Sequence, residues 1–397
     1  MKRHLKLTIF SFMVMTLIGL ILNIRGTLIP SIKFDLQISY GKIGLMLMAT
    51  SIGFMIATLL GGKASTKYGL KKVVYLGLFV MGLSVSLMIT VNSFLSLLFF
   101  IVLLGIGIGL TEIGVNTLGS KIFVEKSSMM MNLLHFFFGL GSTIGPRLAG
   151  WMLNQEIKWN FIYFYSLFLV VSVFIFLFFT DFPDNIENDN ETPISYVKII
   201  NNKKVWLFTI VLGLSVTAEG GVANWLVNYL QIEHGFTTAN SSFYLSLFFI
   251  IFTSGRLLGG YLTEFIGYMK SIIYFSTTMF FIFFIGLLLQ ERGALFFSLT
   301  GFFVSINFPT IMALIMQEFK ANTGTYMGFI ITGASAVSMI SNWLIGKTTE
   351  IFSVYTGFAS IIMYILAILL FLYFLNKSLQ ITNDINLNKV KNENNLS

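Results

Sequence analysis

Twelve continuous apolar runs constrain this chain more than any other feature, because about 20 such residues are what a helix needs to cross a hydrocarbon core about 30 Å thick. They fall at Leu7–Pro30, Gly41–Gly62, Val73–Val91, Leu95–Gly119, Met129–Leu153, Phe161–Phe179, Val205–Tyr229, Ser241–Tyr261, Ser271–Leu289, Ala294–Gln317, Gly324–Ile345 and Tyr355–Leu375. Strands of a membrane barrel would alternate apolar and polar residues over about ten positions. These runs do not alternate, so the expected fold class is an all-α membrane protein with twelve transmembrane helices. Of the 397 residues only 11% are charged, where a soluble domain carries about 25%. That shortage excludes a disordered chain and speaks against a soluble enzyme. With no Cys there is no disulfide framework, thiolate nucleophile or cysteine metal site. Met1-Lys2-Arg3-His4 ahead of the first run is leader-like, but no small-residue cleavage site precedes Arg25, so the first span reads as an uncleaved helix.

One polar stretch between spans is long. Residues 181–204 hold Asp181, Asp184, Glu187, Asp189, Glu191 and two prolines, and they divide the chain into spans one to six and seven to twelve. The expected organisation is an N-terminal bundle over 1–180, a linker over 181–204, a C-terminal bundle over 205–376 and a disordered tail over 377–397. With an even number of spans both termini share one side. That side, with the linker, carries seventeen Lys and Arg residues, and the opposite side carries five: Lys33, Lys42, Lys158, Arg292 and Lys347. The positive-inside rule therefore places the termini and linker in the cytoplasm of a cell with the protein in its cytoplasmic membrane. The same asymmetry accounts for the net charge of +8 without a nucleic-acid partner. The partners implied are the lipid bilayer and a small-molecule substrate, with the protein read as a monomer.

Few charges remain inside the spans: Arg25, Glu112, Arg147, Glu219 and Arg256, with His135 the one histidine. Charge in the membrane is costly and usually faces an interior cavity or an ion or substrate path. Spans 3, 6, 9 and 12 carry none, a period of three that predicts lipid-facing helices at those places and a cavity lined by the rest. Two six-helix halves built from threes are the pattern of a secondary transporter with nested repeats. At about 1.5 Å per residue, Glu112 and His135 both come out roughly 13 Å from the cytoplasmic surface, where they could pair. Glu219 falls near the midplane, and Arg25 and Arg147 near the outer edge, too far for Arg25 to touch Glu112. Arg256, close to the inner turn, reads as structural, reaching out to the surface. An unpaired Glu112 or Glu219 could hold a proton at neutral pH, and His135 could relay it. Asn23, Asn116, Asn132, Asn224 and Asn307 each offer donor and acceptor groups, as a hydroxyl-rich ligand requires. Trp225 suits stacking on a sugar ring or anchoring at the interface. Arg25 and Arg147 could attract an anion.

Two stretches carry a family resemblance. The turn after span 2 reads Gly61-Gly62-Lys63-Ala64-Ser65-Thr66-Lys67-Tyr68-Gly69-Leu70-Lys71-Lys72, and the turn after span 8 reads Gly259-Gly260-Tyr261-Leu262-Thr263-Glu264-Phe265-Ile266-Gly267. Both resemble the Gly-x-x-x-Asp-Arg-x-Gly-Arg-Lys loop of the major facilitator superfamily. Thr66 stands where the first copy would be acidic; the second keeps Glu264 but lacks the basic run. Span 4 (Gly107–Asn116), the start of span 5 (Asn132–Gly141), span 7 (Ala218–Leu226) and span 10 (Ile306–Thr310) further resemble the fucose:proton symporter group of sugar transporters.

The resemblance implies two pseudo-symmetric six-helix bundles and proton-coupled sugar uptake by alternating access. It makes Glu112 the span-4 carboxylate of that group. The group's acidic residue in span 1 is missing, with Asn23 and Arg25 in its place. The expected function is thus transport of a small polar solute, a sugar first, with Glu112, Glu219 and His135 in proton coupling. Substrate contacts are assigned to Asn23, Arg25, Asn116, Asn132, Arg147, Asn224, Trp225 and Asn307. No cofactor is expected beyond the coupling ion, a proton or else sodium. An anionic sugar derivative or organic acid is the alternative the arginines suggest. The segment Gly141–Gly150 resembles the Gly-Pro motif of drug:proton antiporters, which keeps a multidrug or metabolite exporter as a further alternative. An ATP-driven pump fails for want of a Gly-x-x-x-x-Gly-Lys-Ser/Thr loop.

Overall fold

Continuous apolar runs satisfy their backbone hydrogen bonds within each helix, which is the condition for spanning lipid. The computed structural model describes residues 5–123, 127–182, 196–320 and 322–394, without the side chains of 63, 66, 127–129, 132, 196 and 381–394. Its long helices are α1 (Leu5–Asp35), α2 (Tyr40–Tyr68), α3 (Leu70–Leu87), α4 (Phe94–Ile122), α5 (Ser127–Asn154) and α6 (Trp159–Phe178) in the first half. The second half has α7 (Lys203–His234), α8 (Thr238–Ile266), α9 (Tyr268–Leu288), α10 (Ala294–Ser305 with Asn307–Glu318), α11 (Thr323–Ile351) and α12 (Ile361–Asn394, after a short helix at Val354–Ala359). Eleven of them are long and apolar enough to cross a membrane; α5, which carries His135, Pro146 and Arg147, is outside that set.

Local chemistry explains the interruptions. Pro309 lacks an N–H and crowds the carbonyl of Ser305, so α10 breaks at Ile306. The α2–α3 and α8–α9 turns pass through Gly69 (φ 90°) and Gly267 (φ 92°), a conformation that L side chains avoid. The same glycine in the same turn of each half is the backbone counterpart of the repeated sequence motif. The acidic part of the linker, residues 183–195, lies outside the described residues; after it come a short helix at Tyr196–Ile200 and α7. The last helix continues to Asn394, over the stretch expected to be a disordered tail. Residues 377–394 contain neither Gly nor Pro to stop it.

The two halves meet crosswise, α2 against α11, α5 against α8 and α1 against α7. We call the face where α1 begins proximal and the other distal. Close approach between α2 and α11 is concentrated at the distal end, where a Cβ on Gly44 would stand 3.0 Å from the Trp343 carbonyl oxygen. Towards the proximal end of α11, a Cβ on Gly324 or Gly328 would meet nothing within 4 Å. This pair is therefore closed distally and parted proximally. The helices built on the charge-free spans turn large apolar side chains outward: Tyr75 and Phe79 on α3, Phe168 and Ile175 on α6, Phe281 on α9 and Leu370 on α12 are exposed. The period of three read from the charges is thus the lipid-facing period of the fold.

Candidate transport site

A cavity of about 280 Å³ lies between the halves, and α1, α2, α4, α7 and α11 all line it. Its size is near the lower end of small-molecule pockets, about 300–1,000 Å³. Asn23 and Arg25 enter from α1, Glu112 from α4, and Glu219 and Asn224 from α7. Arg25 is not at the outer edge. The helix runs past it to Asp35, ten residues or about 15 Å further, so the guanidinium sits at cavity depth. The apolar run ends at Pro30, but a proline at that point does not end the helix, so the distal face lies beyond the end of the run.

A chain of hydrogen bonds crosses the cavity. Arg25 Nε donates to Asn224 Oδ1 at 3.0 Å, Asn224 Nδ2 donates to Asn342 Oδ1 at 3.4 Å, and Asn342 Nδ2 donates to the Ser338 carbonyl at 3.0 Å. The first link joins the two halves. Among the described residues the terminal Nη groups of Arg25 have no hydrogen-bond partner, so two nitrogens with four N–H donors remain for a ligand. Asn23 Nδ2 donates to Ser142 Oγ at 2.9 Å and to the Gly19 carbonyl at 3.0 Å, which spends the amide nitrogen on fixing α1 to α5. Neither Glu112 nor Glu219 has a hydrogen bond or ion pair to another described residue, and both carboxylates face the cavity.

Asn342, with Ser335 and Ser338, is the part of the site that the sequence reading passed over. The three are seven and four residues apart on α11, which puts them on one helical face. A polar stripe at that spacing inside an apolar run was the available signal.

Several expected site residues lie elsewhere. Trp225 is 2% exposed and packs near Tyr40, ring centroids 6.2 Å apart, so it neither stacks on a ligand in this cavity nor anchors at the interface. Asn307 is fully buried, 3.4 Å from Ser276 Oγ, where it ties α10 to α9. Asn116 has a buried Oδ1 without a partner and does not line the cavity. Arg147 is exposed near the distal end, donating to the Ala239 carbonyl at 3.0 Å and thereby joining α5 to α8. The Asn132 side chain lies outside the described residues. Glu112 and His135, expected as a pair, share no hydrogen bond or ion pair.

Arg256 moves the other way, from structural residue to the edge of the site. It is ten residues from the proximal end of α8, as Glu112 is from that of α4, so the two share a level. Its guanidinium lies over the Phe252 ring, 4.4 Å from the centroid, and its Nε is buried without a partner. It interacts electrostatically with Glu112, Glu219 and His135 rather than reaching out to the surface. Periodicity gives depth along α8 but not the direction the side chain takes.

Residues 7–342 match the sequence profile of the Major Facilitator Superfamily. The chain belongs to this family. Its members are transporters and not enzymes. It is similar to a Protein TsgA homolog of Buchnera aphidicola subsp. Baizongia pistaciae, 21% identical over 88% of this chain and 90% of the other. It is also similar to a Hexuronate transporter of Bacillus subtilis, 25% identical over 82% of this chain and 83% of that one. Among solved structures, the E. coli Fucose:proton symporter, FucP, superimposes with a TM-score of 0.65 at 17% identity, covering 93% of this chain and 98% of the other. The fold is therefore that of the group whose motifs the sequence resembles.

Proposed function

We propose that this facilitator couples protons to the uptake of a small hydroxyl-rich solute carrying one carboxylate, a sugar acid. The observation that carries this reading is Arg25, a guanidinium in the cavity wall whose terminal nitrogens are unpaired among the described residues while Nε is held by Asn224. A planar fork of donors suits a carboxylate, and the amides of Asn224 and Asn342 beside it suit hydroxyl groups. A relative named for hexuronate, 25% identical, supports the same class. Glu112 and Glu219 are the proton-carrying groups in this reading, with His135 at the proximal approach, and no cofactor takes part. Seventeen basic residues against five support a cytoplasmic proximal face, so the site is reached from the cytoplasm in this arrangement. A monomer suffices, since one chain supplies the whole site.

A neutral sugar is the second reading, favoured by the asparagine network, which needs no charge on its ligand. An exporter of cationic drugs is disfavoured by a guanidinium in the cavity wall. Thermal unfolding of the purified protein against a panel of solutes separates these, because a ligand that binds only the folded state raises its stability. Stabilisation by hexuronates or aldonates, abolished in Arg25→Gln, is the expected result. Stabilisation by neutral sugars with no response to their acids would overturn the sugar-acid reading in favour of the second.

A further inference from the structure

We infer that a groove on the lipid-facing side of the first half binds one anionic phospholipid of the proximal leaflet. This site is separate from the transport cavity and rests on no assignment of the transported solute. The groove lies over α1, between α5 and α6, and encloses about 390 Å³, more than the cavity between the halves. It originates in the packing of α1. Near Gly19 that helix meets α5 backbone to backbone: a Cβ on Gly19 would stand 2.1 Å from the Phe138 carbonyl oxygen, and one on Gly141 2.0 Å from that of Thr16. Closer to the proximal end the stacked rings of Phe12 and Phe137, centroids 4.4 Å apart, replace that contact. On the other flank α6 presents Ser172, a small side chain that leaves the space between the helices open.

The wall decides what the groove can hold. It is apolar apart from two hydroxyl groups, and both donate within their own helices. Thr16 Oγ1 bonds the Phe12 carbonyl at 2.9 Å and Ser172 Oγ that of Phe168 at 2.7 Å. Neither proton remains for a polar ligand. The groove opens sideways past Ile9 and Leu169, both exposed. From Ile9 to Leu20 it follows α1 for eleven residues, about 16 Å. That is close to half of a hydrocarbon core about 30 Å thick, the reach of an acyl chain from one leaflet.

Lys6 supplies the headgroup end. It precedes Ile9 by three residues, so it shares that face of α1 and stands about 4.5 Å nearer the proximal surface. Its side chain is exposed and makes no ion pair among the described residues. An ammonium group one turn beyond the mouth of an apolar groove complements a lipid with an acyl chain in the groove and a net negative headgroup above it. The same helix continues to Asn23 and Arg25 of the transport cavity, so the lipid packs on the element that carries the site.

The experiment titrates the purified full-length protein in mixed micelles with dioleoyl phosphatidylglycerol or dioleoyl phosphatidylcholine. Mass spectrometry of the intact complex counts the lipids retained per chain. One phosphatidylglycerol per chain should persist when the others are stripped, held at least about fivefold more tightly than phosphatidylcholine. A single lysine near an anionic headgroup contributes about that factor, so Lys6→Gln should take about fivefold from the preference. Ser172→Trp fills the groove from an exposed position and should lower retention at least about tenfold. Phe281→Trp, on the outward side of α9, should leave retention unchanged. Thermal unfolding checks that each variant is folded, and Leu169→Trp replaces Ser172→Trp if that one is not. Retention that survives a filled groove in a folded variant would overturn the inference. Equal retention of the two lipids by the parent, or a second copy of the chain bound in place of lipid, would do the same.

Discussion

Placing Val at Gly44 tests whether distal closure depends on the near-contact of α2 with α11. A Cβ there would stand 3.0 Å from the Trp343 carbonyl oxygen, 3.1 Å from Trp343 Cα and 3.4 Å from Gly346 Cα. All three are backbone atoms, so no side-chain tip can swing aside and the helices must part. Overpacking of this kind costs about 1–3 kcal/mol. Only the distally closed arrangement contains the contact, so the cost falls on one side of a two-state equilibrium. At 1.4 kcal/mol per factor of ten, the distally open population rises about 5- to 150-fold. The chain has no Cys, so Ser51→Cys in the cavity wall provides a single reporter. In sealed vesicles, an impermeant thiol reagent applied from the distal side should label it faster by that factor in Gly44→Val. The matched control is Gly328→Val, whose Cβ meets nothing within 4 Å in this arrangement and should not speed distal labelling. Equal distal labelling of the Gly44→Val and parent proteins, both folded by thermal unfolding, would refute the argument.

Three further outcomes follow from the site. Glu112→Gln should retain counterflow but lose pH-driven accumulation at least tenfold, read in sealed liposomes with a labelled hexuronate; unchanged accumulation would remove Glu112 from coupling. Asn342→Ala removes the acceptor for Asn224 and its own bond to Ser338, a loss of about 1–1.5 kcal/mol, and should weaken ligand binding about 5- to 10-fold by calorimetry. Trp225→Phe should leave binding within about twofold, because the ring is buried away from the cavity, while lowering stability by about 1–3 kcal/mol in thermal unfolding.

The fold was legible because lipid imposes it: a run of apolar residues has few ways to satisfy its backbone, and the charge-free third, sixth, ninth and twelfth spans mark the helices that face outward. The site was legible in part. Glu112, Glu219, Asn23, Arg25 and Asn224 do line one cavity, since an ionisable or amide group in lipid seeks an interior. Depth and direction were harder. Arg25 was set at the outer edge because α1 outlasts its apolar run by five residues, which moves that edge outward. Trp225 and Asn307 were assigned to the ligand because residue type does not distinguish a cavity wall from the packing behind it. Arg256 was set aside because a long side chain near a turn can go outward or inward, and only its neighbours on α4 and α7 decide. Asn342 escaped because it belongs to a stripe on α11 that no motif marks.

The position of the Arg25–Asn224 bond ties occupancy to movement. It joins α1 to α7, one helix from each half, next to the place where a Cβ on Gly26 would strike the Ala223 carbonyl. The backbone contact of Gly26 with the Ala223 carbonyl offers no side chain to a ligand; the side-chain bond does. In the proposed reading a carboxylate takes the terminal Nη groups of Arg25 while Nε stays on Asn224 Oδ1, and hydroxyl groups meet the amides of Asn224 and Asn342 beside it. Such a ligand would add a second link between the halves beside the one already present, so that it can be enclosed as they swing.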